Sequence, residues 1–381
     1  MECEPLYFWS GDSYKWQKHK HPSKWLGELT NAQQHAANKI NQIVKKGGEL
    51  LVWAVAGAGK TEMLFPGITT ALQQGKRICI ATPRADVVRE LLPRLSKAFQ
   101  HIHIQALYSG SRDNDGTAQL IISTTHQLYR YRAAFDVLII DEIDAFPYHN
   151  DLTLQYAAMQ ARKKEAAQIY LTATPREKLQ IQIKTRKLDH VFVPIRFHGY
   201  FLPVPVLKKF NSHNESKGIV QFVEWIRTRE RPKRQLLIFV PTIKLANELR
   251  APLKKLLFEE SIIKMPSQIQ SVHAEDKKRE EKVIAFRKNY IFVLITTTIL
   301  ERGVTFPSVD VAVLYADHQV FDEAALVQVS GRAGRSPKDP SGEVVFFHNG
   351  QTNAMKRSIR SIKQMNQRAK NINSTLWMKG E

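Results

Sequence analysis

The stretch ELLVWAVAGAGKT, Glu49–Thr61, sets the fold class. Its first half is an apolar run of strand length, and its second half is a glycine loop ending in Gly-Lys-Thr. The last eight residues, AVAGAGKT (54–61), match the tail of a phosphate-binding loop, with Ala54 standing where the full pattern has glycine. What remains is the part that meets phosphate. Gly57 and Gly59 let the backbone turn its N–H groups toward the anion, Lys60 reaches the β- and γ-phosphates, and Thr61 can hold Mg²⁺. A helical pattern follows, running to about Gln74 and closed by Gly75, and a helix N-terminus favours an anion. The expected ligand is a nucleoside triphosphate, ATP or GTP.

About 80 residues further on, VLII (137–140) is apolar enough for a central buried strand, and DEIDAFPY (141–148) follows it. Asp141 should emerge at the C-terminal end of that strand, the edge where ligand sites form in open α/β sheets. It is expected to take Mg²⁺, directly or through water, and Glu142 to orient or activate the attacking water. The competing reading is a surface turn, which the coincidence with the phosphate loop disfavours. Asp144 is left with coupling this loop to its neighbours. Pro147 restricts Phe146 to an extended form, and Phe146 and Tyr148 are expected to pack beneath the acidic loop, the alternative being that they stack on a base.

RICIAT, LIIST (120–124) and IYLTAT (169–174) read as further strands, with helical patterns such as ADVVRELLPRLSKAF and TLQYAAMQARKKEA between some of them. Upstream, Thr30 reads as the N-cap of a helix whose Ala32, Ala36, Ile40 and Ile43 recur at three- and four-residue steps. Alternating strands and helices imply a mostly parallel sheet covered on both faces. Past a linker near 195–215 the alternation repeats through QLLIFV, IQSVHA, IFVLITT, VDVAVLYA and EVVFFH. The expected organisation is an α/β protein with two units, 29–200 and 205–350. They are flanked by an aromatic and basic segment at 1–28 and a basic segment at 351–381. In the first flank Tyr7, Phe8, Trp9, Tyr14, Trp16 and Trp25 sit among lysines, which suits base stacking or packing on the first unit. The last flank reads as one helix, open to service as a nucleic-acid arm, a membrane-facing segment or a solvated cap. In SGRAGR (330–335), Arg332 and Arg335 are three apart and would project together from one helical turn. Planar guanidinium groups suit a phosphoryl group whose charge is changing.

The 381 residues carry a formal net charge of +20, which favours a polyanionic partner. Two cysteines, Cys3 and Cys79, make neither a disulfide framework nor a zinc cluster, and Cys79 reads as core. No apolar run is long enough for a transmembrane helix, and the N-terminus lacks a signal-peptide pattern. A cytoplasmic protein is expected, with peripheral attachment to the inner face of the membrane left open.

In order along the chain, LTNAQQ, AVAGAGKT, TPR, STTHQL, DEID, TAT, LIFVPTI, TTTILERG and QVSGRAGR resemble the motifs of superfamily 2 DEAD/DEAH-like helicases. The resemblance spans about residues 29–350 and implies two tandem RecA-like domains. It implies that Gln33, rather than Gln34, contacts adenine, making ATP the nucleotide. It places Thr82, Arg84, Thr125 and Gln127 on the nucleic-acid path, and ERG (301–303), with Thr298 nearby, in the motif that touches both strand and nucleotide. TAT (172–174) couples ATP state to the bound strand, and Gln328, Arg332 and Arg335 belong to the arginine-bearing last motif. Within the superfamily the series is most similar to the late-competence ATPases of DNA uptake, the ComFA family. That implies an ATP-dependent motor on single-stranded DNA, with other DNA-uptake proteins as partners. The family's upstream four-cysteine zinc module has no counterpart here, so no metal beyond Mg²⁺ is expected. The alternative function is an ATP-switched nucleic-acid-binding or scaffold subunit with little motor activity.

Overall fold

A computed structural model describes residues 14–111, 115–210, 215–301 and 306–377. The chain divides into two compact units: Met1–Ala54 with Gly59–Val193, and Pro194–Glu381 with the loop residues Val55–Ala58.

In the first unit the strands are β1 (Gly48–Ala54), β2 (Ile78–Thr82), β3 (Ile104–Leu107), β4 (Leu120–Thr124), β5 (Phe135–Asp141), β6 (Arg162–Thr172) and β7 (Asp189–Val193). They form one sheet in the order β3-β4-β2-β5-β6-β1-β7, and every pairing is parallel. The helices are α1 (Asn31–Lys46), α2 (Lys60–Gln73), α3 (Ala85–Ala98), α4 (Leu152–Ala161) and α5 (Glu177–Lys184). The central strands have no polar face: β2 and β4 are buried at every position, as a parallel sheet covered on both sides requires. Leu51, Cys79, Ala81, Ile121, Leu138 and Ile140 build the core on one face.

One boundary departs from the sequence pattern. TLQYAAMQARKKEA reads as helix throughout, yet α4 stops at Ala161 and RKKEAA opens β6. The charged residues are held there by neighbouring strands. Arg162 pairs with Glu49 of β1 at 2.9 Å and Lys163 with Asp136 of β5 at 2.7 Å. Cross-strand ion pairs of this kind outweigh local helix preference.

The N-terminal flank uses its described tryptophans for packing. The Arg77 guanidinium lies 4.7 Å from the Trp16 ring centroid and also over Tyr131 and Phe135, while Trp25 meets Phe65 edge-on at 5.4 Å. The His19 N–H donates to the Leu72 carbonyl and the Lys24 N–H to that of Ala98. Tyr7, Phe8 and Trp9 lie outside the described residues.

The second unit repeats the plan with β8 (Val206–Lys209), β9 (Gln235–Phe239), β10 (Ile269–Val272), β11 (Val293–Thr296), β12 (Val309–Val313) and β13 (Val344–His348). Their order is β10-β11-β9-β12-β13-β8, again parallel throughout. Its helices are α6 (Glu215–Thr228), α7 (Ile243–Glu259), α8 (Arg279–Arg287), α9 (Glu323–Ser330) and α10 (Asn353–Trp377). Alternate residues enter different cores. Leu236, Ile238, Val293 and Ile295 join one apolar cluster, and Leu237, Phe239 and Leu294 the other. β8 falls in the stretch that reads as linker; it is an edge strand on β13 whose side chains are mostly exposed, so it carries no apolar signal.

Candidate ATP site and nucleic-acid edge

All strands of the first sheet point the same way, so every motif that follows a strand reaches one edge. In sheet order the edge carries TTHQL after β4, TPR after β2, DEID after β5, TAT after β6 and the phosphate loop after β1. Neighbouring strands lie about 4.8 Å apart. The acidic pair and the phosphate loop are therefore separated by one strand, β6, whose end is TAT. The register keeps them level: Asp141 stands beside Leu171, and Trp53 beside Thr172.

The phosphate loop needs its glycines for two different reasons. Gly57 and Gly59 adopt φ of 82° and 75°, the left-handed region that L side chains avoid. A Cβ on Gly59 would also fall 2.3 Å from Gln33 Nε2. Gln33 therefore lies against the loop. Its Oε1 accepts the Thr30 N–H at 2.8 Å, and Thr30 Oγ1 accepts the Gln33 N–H, so the same residue closes a capping box on α1. Gln34 faces solvent and donates to Asn38. Lys60 and Thr61 open α2, whose N-cap, Gly59, brings no side-chain bond to the first turn. This backbone suits an anion.

Asp141 is the last residue of β5, and its Oδ1 accepts the Glu142 N–H at 2.9 Å. Glu142 takes φ of 57°, which turns the chain sharply after the strand. Among the described residues no group of three or more His, Cys, Asp or Glu could hold a metal alone. Mg²⁺ needs no such group, being bound by one or two protein oxygens plus substrate phosphates. Thr61 and Asp141 offer oxygens of the required kind.

Asp144 explains itself in the structure. It is buried, its Oδ1 accepts from Thr172 Oγ1 and its Oδ2 from Thr174 Oγ1, both at 2.6 Å. Thr172 Oγ1 in turn accepts the Thr174 N–H at 2.9 Å, and Trp53 Nε1 donates to the Ala173 carbonyl at 3.0 Å. One carboxylate thus joins the acidic loop to TAT, and a β1 side chain ties TAT toward the phosphate loop. Tyr148 packs into the core as expected, whereas Phe146 is 68% exposed; the expectation that both pack fails for Phe146.

Of the residues expected on the nucleic-acid path, Arg84 and Gln127 are half-buried, but Thr82 and Thr125 are buried. Neither threonine hydroxyl has a hydrogen-bond partner among the described residues. Side-chain contact with a strand is open to Arg84 and Gln127, not to the two threonines as they stand.

In the second unit Thr298 is half-buried in a short 3-10 turn after β11; residues 302–305 of the neighbouring motif lie outside the described residues. Gln328 is buried on α9. The two arginines do not share a helical turn. α9 ends at Ser330, and Gly334 takes φ of 62°, so Arg332 lies in the turn 331–334 and Arg335 just past it. Arg332 is buried and its Nε donates to the Glu301 carbonyl at 2.9 Å, while Arg335 Nε donates to the Gly331 carbonyl at 2.8 Å.

Sequence reasoning missed Arg196. Its guanidinium is buried and donates to the Gly334 carbonyl at 2.5 Å and the Gly331 carbonyl at 3.4 Å, bracketing the arginine-bearing turn. Its Nε has no partner in the described structure. Burial, reinforced by the Arg335 charge, holds it down at about 9.

Two parallel sheets flanked by helices, the first bringing a phosphate loop, an acidic pair and TAT to one edge, follow the plan of superfamily 2 helicases, built from tandem RecA-like domains. Residues 26–177 match the model of the type III restriction enzyme res subunit, and residues 217–337 that of the helicase conserved C-terminal domain. The chain belongs to the ComFA competence protein family. It is 45% identical to Competence protein ComFA of Bacillus subtilis, over 97% of this chain and 79% of that protein. Against the Streptococcus pneumoniae ComFA the identity is 37%, over 91% and 79%. The fold is similar to that of S. cerevisiae Dbp5 bound to RNA and ADP BeF3, with TM-score 0.64 and 17% identity, covering 89% of this chain and 88% of that one. The protein is an ATP-dependent nucleic-acid motor of the helicase class.

Proposed function

We propose that this motor translocates along single-stranded DNA and drives DNA uptake in natural competence. The observation that carries the mechanism is the Asp144 bridge, which makes the segment between the two ends of the site respond to both. Lys60 and the backbone of the Gly57–Gly59 loop hold the β- and γ-phosphates. Gln33 reads the base. Glu142 orients the attacking water. Thr61 and Asp141 would hold Mg²⁺, which would supply positive charge against the charge developing on the transferred phosphoryl group. Arg332 and Arg335 are assigned the charge on the transferred phosphoryl group, with Gln328 beside them on α9. The strand is held by Arg84, Gln127 and Thr298 through backbone phosphate contacts, so affinity falls with salt and is indifferent to sequence.

The ComFA relatives bear the name competence protein, and this supports a place for the chain beside other DNA-uptake proteins at the inner face of the membrane. Among the described residues no helix is long and apolar enough to cross a membrane, and peripheral attachment there is part of the proposal. The test is the ATPase rate with and without single-stranded DNA, run in parallel with RNA. Strong stimulation by DNA supports the motor. Equal rates favour an ATP-switched binding subunit instead.

A further inference from the structure

One face of the C-terminal helix α10 carries cations with no acidic partner among the described residues, while Arg357, off that face, pairs with Glu323. Lys356, Arg360, Lys363 and Lys370 are all exposed, and none forms an ion pair among the described residues. Residues 353–377 contain no Asp or Glu. At 100° per residue these four cations and Gln367 fall in one stripe down the helix, about 21 Å long at 1.5 Å per residue. Like charges at three- and four-residue spacing repel and weaken a helix. The arrangement is therefore a standing cost unless an anion lies along it.

The stripe ends on aromatic rings. Lys370 Nζ stands 5.8 Å from the Phe201 ring centroid, and Tyr200 and Phe201 are 51% and 39% exposed. The segment that carries them is clamped to α10: the Leu202 N–H donates to Asn366 Oδ1 at 3.0 Å, and Asn366 Nδ2 donates to the Leu202 carbonyl at 2.9 Å. Lys356, Arg360, Lys363, Gln364 and Gln367, with the half-buried Ile359, share one shallow, open stretch of the α10 surface.

We propose that this face of α10 is a phosphate track for single-stranded DNA, with Tyr200 and Phe201 as a base-stacking platform at its end. The assignment rests on the reading of the chain as a single-stranded DNA motor. A row of cations leading to exposed rings is the recurring form of sequence-tolerant single-strand sites. A membrane surface fits less well. Membrane-surface helices bury an apolar face in lipid, and here Met355, Ile362, Met365 and Ala369 are already buried in the unit. The described residues left outward on the stripe are polar.

The test is the salt dependence of binding to a long deoxythymidine oligonucleotide. The triple variant Lys356→Gln/Arg360→Gln/Lys363→Gln is compared with a control triple, Arg227→Gln/Lys244→Gln/Lys255→Gln. The control loses the same net charge, but from exposed cations that already have acidic partners. Each single-strand phosphate contact contributes about 0.7 to the slope of log K against log salt. The stripe variant should therefore lose about 2 units of slope, with the DNA-free ATPase rate unchanged, and the control should keep the wild-type slope. An unchanged slope in the stripe variant overturns the proposal. So does an equal drop in the control, which marks a net-charge effect. Loss of sedimentation with phosphatidylserine vesicles, with the DNA slope intact, also overturns it and assigns the stripe to a membrane. If wild-type protein does not bind the oligonucleotide at all, the motor reading falls with it; wild-type binding with an unaltered variant removes the track alone.

Discussion

Asp144 gives the most quantitative prediction. Its carboxylate accepts two hydroxyl bonds of 2.6 Å in a buried site, from Thr172 and Thr174. Bonds to an ionised acceptor contribute about 1.5–3 kcal/mol each. Asp144→Ala removes both, about 3–6 kcal/mol, but it also relieves a buried charge whose desolvation costs several kcal/mol. A net loss of about 2–4 kcal/mol is expected. The cleaner quantity is the coupling in a double-mutant cycle with Thr174→Val, since the desolvation of Asp144 cancels to first order. It should be about 1.5–3 kcal/mol. Urea denaturation of the four proteins, with midpoints and slopes both recorded, measures it. Asp144→Asn, which keeps the shape, should retain DNA-free ATP hydrolysis and lose most of the stimulation by DNA. Coupling within about 0.5 kcal/mol of zero, or stimulation intact in Asp144→Asn, would refute the claim that this carboxylate joins the two ends of the site.

Arg196→Met leaves the Gly331 and Gly334 carbonyls without their donor, so it should lower the melting temperature modestly, the removal of a buried cation offsetting part of the loss. It should also lower kcat for ATP roughly tenfold to a hundredfold through loosening of the Arg332–Arg335 turn; retained kcat would show that the brace at Gly331 and Gly334 is dispensable. Cys79 is buried beside Ser123, and burial pushes its thiol up to about 12 from 9.0. At pH 8 it should resist iodoacetamide in the native protein and react only after unfolding, as peptide mass spectrometry would record. Since the folded value lies above the unfolded one, this group takes nothing from stability below pH 9 and erodes it as pH climbs from 9 toward 12.

Much of the fold is local enough to read in sequence. The strand, glycine loop and helix at 48–73, and the strand ending at Asp141, stand where their apolar runs and punctuation put them. What escapes is whatever long-range contact decides. RKKEAA extends β6 because Glu49 and Asp136 arrive from other strands. Val206–Lys209 becomes a strand only by pairing with β13. Arg196 has no motif around it, since the carbonyls it grips are 135 and 138 residues away. The arginine pair departs from the spacing for a local reason: α9 ends at Ser330, and Gly334 turns the chain with φ of 62° before Arg335. Thr30 and Gln33 carry the spacing of a capping box, a signal present in the sequence that ties Gln33 to α1 before its place at the loop is known.

The central claim is that ATP hydrolysis is coupled to single-stranded DNA through this one sheet edge. The most direct measurement is the steady-state ATPase rate of the wild type, Lys60→Ala and Glu142→Gln, each with and without single-stranded DNA. The account predicts strong stimulation of the wild type and its loss in both variants. Equal wild-type rates in the two conditions, or stimulation that survives either substitution, would contradict it.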